Sequence, residues 1–82
     1  MSYYVYILKS LKDQTYYVGS THNLESRLKR HNAGRVASTK SRRFWKLVYS
    51  EEHPTRSSAT KRETEIKSHK RRAYIEALIQ KS

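Results

Sequence analysis

The chain opens on an aromatic and β-branched run, Tyr3-Tyr4-Val5-Tyr6-Ile7-Leu8; after the polar break Lys12-Asp13-Gln14 comes a second, Thr15-Tyr16-Tyr17-Val18-Gly19. Two such runs around a short polar segment predict a β-hairpin. With its turn centred near Lys12, Tyr6 and Tyr17 fall opposite each other or one diagonal apart, within cross-strand reach. Asn23 is a good N-cap, Leu24, Arg27, Leu28 and His31 then share one helical stripe, and Gly34 supplies a stop, which predicts a helix near 24–33. Phe44 to Tyr49 predicts a third strand, with Trp45, Leu47 and Tyr49 alternating against Phe44, Lys46 and Val48. Glu51 to Ser58, which holds the only proline, Pro54, reads as a polar connection. Helix formers continue to Ile79. Ala59, Ile66 and Ala73 share a heptad stripe, and Tyr74, Ile75, Leu78 and Ile79 cluster after the polar stretch Ser68 to Arg72, where a break into two helices is expected. The order is ββαβα(α) in one α/β unit, expected to be a single domain over 1–82.

Composition sharpens this picture. Leu, Ile, Val and Phe together make 15 of 82 residues, a share so low that with high charge it usually marks disorder. Seven Tyr and one Trp reverse that expectation, because each ring can bury a large apolar area and keep a polar edge. The net charge is +11, from 18 Lys and Arg against 7 Asp and Glu, so the expected partner is a polyanion, nucleic acid before any other. From Ser26 to Ser50 there are eight basic residues and no acidic one, and Arg35 to Arg43 reads as an exposed basic loop. With no cysteine there is no disulfide framework, and a reducing cytoplasm is the expected setting. The N-terminal residues lack the basic, apolar and small-residue segments of an export signal, and no membrane association is expected.

Three groups of residues carry candidate chemistry. Glu63 lies four residues after Ala59 and three before Ile66, on the sparse apolar stripe of its helix, so its carboxylate points inward and needs a partner. A salt bridge to Arg or Lys is one fate; a functional role is the other. Glu65 points elsewhere and is placed to pair with His69. Tyr6 and Tyr17 are two phenols on neighbouring strands, either core packing or reactive groups. Arg27 and His31 stand one turn apart on the inner side of the first helix, either as a solvated rim or as part of a site. The four His residues show no zinc-ligand spacing, and two glycines build no phosphate-binding loop, which disfavours nucleoside triphosphate hydrolysis.

At these residues the chain resembles the GIY-YIG nuclease family. Tyr4-Val5-Tyr6 and Tyr17-Val18-Gly19, separated by ten residues and followed by Asn23-Leu24, Arg27 and His31, look like its signature, and Ala59-x3-Glu63 resembles its acidic helix. The resemblance covers nearly the whole chain and is closest to the small stand-alone bacterial branch, described as endonucleases. Tyr4 stands where the family name has Gly, and Val5 and Val18 replace Ile. The Asn of many larger members has no obvious counterpart.

The resemblance implies a three-stranded antiparallel sheet flanked by helices and a metal-dependent endonuclease acting on DNA. Glu63 would be the one protein ligand of Mg2+ or Mn2+, Arg27 would contact the scissile phosphate, Tyr6 and Tyr17 would orient or deprotonate the attacking water, and His31 would support a Tyr or shuttle a proton. For a phenol to act as base at neutral pH, nearby cations must favour the phenolate. Gly19 would allow close backbone approach at the strand end. Arg35, Lys40, Arg42, Arg43 and Lys46, with Trp45 beside them, would track a nucleic-acid backbone, DNA ahead of RNA. So small a surface favours structure-selective or weakly specific action on branched, nicked or flapped DNA, as in repair or recombination. The alternative from another class is a non-catalytic DNA- or RNA-binding module on the same scaffold.

Overall fold

The computed structural model describes residues 2–37, 39–69 and 71–81. Strands β1 (Tyr3–Ser10) and β2 (Tyr16–Thr21) form the predicted hairpin, and β3 (Trp45–His53) pairs antiparallel on the other side of β1, giving the order β2-β1-β3. The helices are α1 (Leu24–Asn32), α2 (Arg56–His69) and α3 (Arg72–Lys81), so the fold is α+β with the order ββαβαα. No helix among the described residues is long and apolar enough to cross a membrane.

Local chemistry sets the boundaries of α1. Asn23 Oδ1 accepts the Ser26 N–H at 3.0 Å, capping its start. At its end the Arg35 N–H reaches the Arg30 carbonyl and the Gly34 N–H the His31 carbonyl, with Gly34 at φ 77°, a Schellman closure that favours glycine. Strand alternation then divides the core in two. Val5, Ile7 and Val18 face Ala59 and Ile66 of α2, with Tyr74, Ile75 and Leu78 of α3 packed on them. Tyr6, Leu8 and Trp45 face the other way, against Leu24 and Leu28 of α1. Each fully buried aliphatic contributes about 1.5–3 kcal/mol.

Four expectations need correction. First, β3 runs on to His53 instead of ending at Tyr49, because Glu51, Glu52 and His53 continue the ladder opposite Val5, Tyr4 and Tyr3. Glu51 tolerates this because Arg62 meets its carboxylate at 2.8 Å and His53 at 2.9 Å. Second, the alternation of β3 breaks at a bulge: Leu47 pairs with Leu8 but Tyr49 with Ile7, so Val48 and Tyr49 both pack on the aliphatic face. Third, the basic loop is not wholly exposed, since Thr39 is buried and Lys40–Arg42 forms a 3-10 turn. Fourth, Glu65 pairs with Arg62, while His69 stacks on Tyr74 with centroids 3.8 Å apart.

Candidate active site

Register brings the two phenols together. Tyr6 lies opposite Gly19 and Tyr17 opposite Leu8, so the Tyr rings are diagonal neighbours with centroids 6.4 Å apart. A Cβ on Gly19 would stand 2.6 Å from Tyr6 Oη. The glycine therefore makes room for the phenol, not for a backbone at the strand end as its position suggested.

The last turn of α1 carries His31, fully buried, to the same point. Its Nε2 is 3.1 Å from Tyr6 Oη, and its ring centroid is 4.9 Å from that of Tyr17. Its Nδ1 is 2.8 Å from Thr39 Oγ1, and the Thr39 hydroxyl donates to the Val36 carbonyl at 3.3 Å. With the Thr39 proton committed to Val36, Nδ1 donates to Thr39 and Nε2 is left to accept from the Tyr6 phenol. Burial, with the cations Arg27 and Arg30, holds the His31 pKa below its ordinary value, in agreement with this neutral form. Burial, reinforced by Tyr17 and Glu63 and only partly opposed by the Arg27 guanidinium, pushes the Tyr6 phenol well above its ordinary value. The resting phenol is a donor, whereas the resemblance required a phenolate.

Trp45 is not a surface residue. Its indole is buried and donates to the Thr39 carbonyl at 3.1 Å, and its backbone N–H donates to Asn32 Oδ1 at 2.6 Å. Both bonds fasten the end of α1 and the Thr39 loop around His31. Arg35, Lys40, Arg42, Arg43 and Lys46 are exposed as expected, but the aromatic that accompanies them in solvent is Phe44, 60% exposed. Of the remaining motif positions, Tyr4 pairs with Thr21, and Val5 and Val18 serve the aliphatic core.

Glu63 reaches the cluster from α2. Its Oε1 accepts the Ser20 hydroxyl at 2.7 Å, one residue beyond Gly19, and its Oε2 accepts the Lys67 ammonium at 2.6 Å. Lys67 Nζ also lies 6.0 Å from the Tyr17 ring centroid. Tyr6, Tyr17, His31 and Glu63 thus converge on the Gly19-Ser20 segment of β2, with Arg27 facing Tyr6. Sequence reasoning missed Ser20, Thr39 and Lys67. Helical spacing could have flagged Lys67, four residues after Glu63. Nothing local marked Thr39, whose role depends on a histidine in another element.

Among the described residues no three His, Asp or Glu side chains gather to hold a metal. Mg2+ needs less, because it retains waters and is held by one or two carboxylates together with substrate phosphates. A cation already occupies Glu63 Oε2, and the Lys67 side chain that supplies it is half exposed, so little energy opposes its displacement. The donor set fits a hydrated, hard divalent ion.

The sequence model of the GIY-YIG catalytic domain matches residues 2–76. The chain belongs to the GIY-YIG family. Among its relatives, a UPF0213 protein of Staphylococcus haemolyticus is 44% identical over 77 residues, 93% of either chain. A UPF0213 protein of Syntrophus aciditrophicus is 43% identical over 79 residues, 94% of this chain and 90% of that one. The solution NMR structure of the UPF0213 protein from Bacillus halodurans superposes with a TM-score of 0.60 at 34% identity, covering 98% of this chain and 84% of its own. GIY-YIG membership makes this a protein of a nuclease family whose members generally use divalent metal ions.

Proposed function

We propose that this GIY-YIG chain is a metal-dependent endonuclease that hydrolyses phosphodiester bonds of DNA, selecting branched, nicked or flapped structures with little sequence preference. The observation that supports it most is the convergence of Tyr6, Tyr17, His31 and Glu63 on one stretch of β2. Core packing alone does not require a buried phenol to donate to a buried neutral imidazole beside a carboxylate.

Glu63 would hold Mg2+ or Mn2+, with Lys67 moving aside. When bound, the ion offsets charge on the phosphoryl oxygens and the leaving oxygen. Arg27 binds the scissile phosphate and stabilises the charge it gains. Tyr6 acts as a proton relay. As the water oxygen bonds to phosphorus and the P–O ester bond breaks, Tyr6 Oη takes the water proton while its own proton passes to His31 Nε2, and the departing ester oxygen takes a proton from solvent to leave as the alcohol. The relay needs no standing phenolate, which reconciles the raised phenol pKa with base chemistry. Thr39 keeps Nε2 free to receive the proton, and Tyr17 orients the water.

The test is cleavage of labelled duplex, flap, four-way-junction and single-stranded DNA and RNA with Mg2+, Mn2+ or EDTA. Wild type is compared with co-purified Glu63→Ala and Tyr6→Phe. Metal-dependent cutting that disappears in both variants supports the reading; equal cutting by all three sinks it. The Lys67–Glu63 pair favours one other reading, a binding module whose acidic site is internally neutralised. On that reading the wild type binds but does not cut, and Glu63→Ala binds as well or better because repulsion of phosphate is lessened.

A further inference from the structure

The nuclease reading uses Arg27 but leaves the cleft beside it unexplained. This hollow, about 230 Å³, lies between α1 and the start of α2 and is lined by Arg27, Arg56, Ser20, Thr21, His22 and Thr60, with Tyr3 at its side. Its lining has no carboxylate. Arg42, Arg62 and Arg72 each have an acidic partner, but among the ion pairs of the described residues none involves Arg27 or Arg56. Two guanidiniums that share a polar hollow without a counter-ion repel each other until an anion enters.

Arg56 also has a neighbour that helps to hold it there. Its Cζ lies over the Tyr3 ring, 5.6 Å from the centroid, a cation–π contact that uses no N–H donor, so the guanidinium keeps its donors for phosphate. Arg56 and Glu63 are seven residues apart on α2, so they share a face about 10 Å apart along the axis. Between them lies Thr60, whose side chain lines the hollow.

We propose that this cleft is a second phosphate subsite, in which Arg56, braced by Tyr3, binds the backbone phosphate flanking the scissile one. The proposal rests on the nuclease reading and narrows its substrate. A bond lacking a phosphodiester on that side, as in a dinucleotide, is a poor substrate, and the strand runs along α2 from Glu63 toward Arg56. The hydroxyl of Thr60 supplies a further donor to the same oxygens, while those of Ser20 and Thr21 already donate to Glu63 and the Asn23 carbonyl.

The experiment measures binding of a fluorescent flap DNA by anisotropy in EDTA over a salt series, for wild type, Arg56→Ala and Arg56→Lys. Each is repeated with oligonucleotides carrying one neutral methylphosphonate at successive positions around the branch. Arg56→Ala should weaken low-salt binding about tenfold and reduce the slope of log affinity against log salt by about one. It should also lose sensitivity to the single methylphosphonate position that weakens the wild type. Arg56→Lys should recover the slope but not the full affinity, since an ammonium cannot bind the phosphate bidentately. Arg56 is exposed, so all three proteins should share one melting temperature. An unchanged slope in Arg56→Ala, or equal sensitivity to the same methylphosphonate, overturns the subsite. Wild type that binds with these Arg56 effects but never cuts overturns the nuclease reading alone; wild type that does not bind overturns both.

Discussion

The two faces of the sheet are built from the same three strands but from different chemistry. On the α2 and α3 face, Val5, Ile7, Val18, Ala59 and Ile66 are buried, and their contribution is hydrophobic transfer and close packing. On the α1 face the buried groups are Tyr6, Trp45, His31 and Thr39 beside Leu8, joined by a chain of hydrogen bonds from phenol to imidazole to hydroxyl to carbonyl. Every buried side-chain polar atom among the described residues has a partner. The lesson is that one face holds the fold together by packing while the other buries a hydrogen-bonded polar chain. On the proposed mechanism that chain acts together with Glu63, which α2 brings to β2 from the other side, so stability and activity should separate between the aliphatic core and these polar groups.

The largest expected effect is on the α1 face. Tyr6→Phe removes one oxygen and keeps the ring, so metal-dependent cleavage should fall about 10²- to 10⁴-fold. The cost in stability should be smaller, about 1–3 kcal/mol, for leaving His31 Nε2 without a donor. Single-turnover rates set beside urea melts check this; a cleavage loss no larger than the fraction unfolded would erase the distinction between the faces. On the opposite face Ile66→Ala should cost about 2–5 kcal/mol of stability. Under conditions where the variant is folded, its rate per folded molecule should stay near wild type. A rate that collapses in fully folded Ile66→Ala would show that the aliphatic packing of α2 is needed to place Glu63, one turn before Ile66.

The aliphatic face was legible in part. The Ala59-Ile66 spacing marked the inner stripe of α2, the two strand-like runs gave the hairpin without saying which side chains face which helix, and Asn23 and Gly34 bracketed α1 to within a residue. The break between α2 and α3 fell where the polar stretch predicted it. What could not be read depends on partners in other elements. Glu51 and Glu52 look like loop residues until Arg62 arrives from α2 and the β1 edge accepts their backbone. The bulge at Val48 moves Tyr49 to the other face and leaves no mark in a strand of alternating type. Trp45 looks like a surface aromatic within a basic stretch, and only the fold shows its indole tied to Thr39. In the site, Tyr6, Tyr17, Arg27, His31 and Glu63 were singled out from the sequence, whereas their supports, Thr39, Ser20 and Lys67, are ordinary polar residues until the chain closes.

Gly19 joins the two effects, because it occupies strand space but limits the phenol. Gly19→Ala places a methyl group 2.6 Å from Tyr6 Oη and 2.8 Å from its Cζ, so the ring must shift away from His31. A cost of about 1–3 kcal/mol from overpacking is expected, together with lost cleavage. In the double variant with Tyr6→Phe the penalties should be less than additive, since the closest clashing atom is gone and the relay is already broken. Strict additivity in melts and rates would mean that the glycine serves some purpose other than making room for the phenol.

The smallest effect is a pH dependence that only the α1 face should show. Burial with Arg27 and Arg30 lowers the native pKa of His31, while the unfolded chain keeps the ordinary value of about 6.5. Between those two values the unfolded state binds the extra proton, so stability is fully present above about pH 6.5 and declines as pH falls toward the lowered native value. Glu51 and Asp13 do not disturb this window, since their native pKa values lie below the ordinary carboxylate range: Glu51 through bonds from Tyr49, His53 and Arg62 that outweigh its burial, Asp13 through bonds from Thr15. Melting temperatures from pH 8 to pH 5 should therefore fall below about pH 6.5 in wild type and stay flatter in His31→Gln, which has no titrating ring. Parallel curves would assign the acid response to the other histidines, half-buried His53 beside Glu51 among them, and the α1 face would then differ from its opposite in hydrogen bonding but not in protonation.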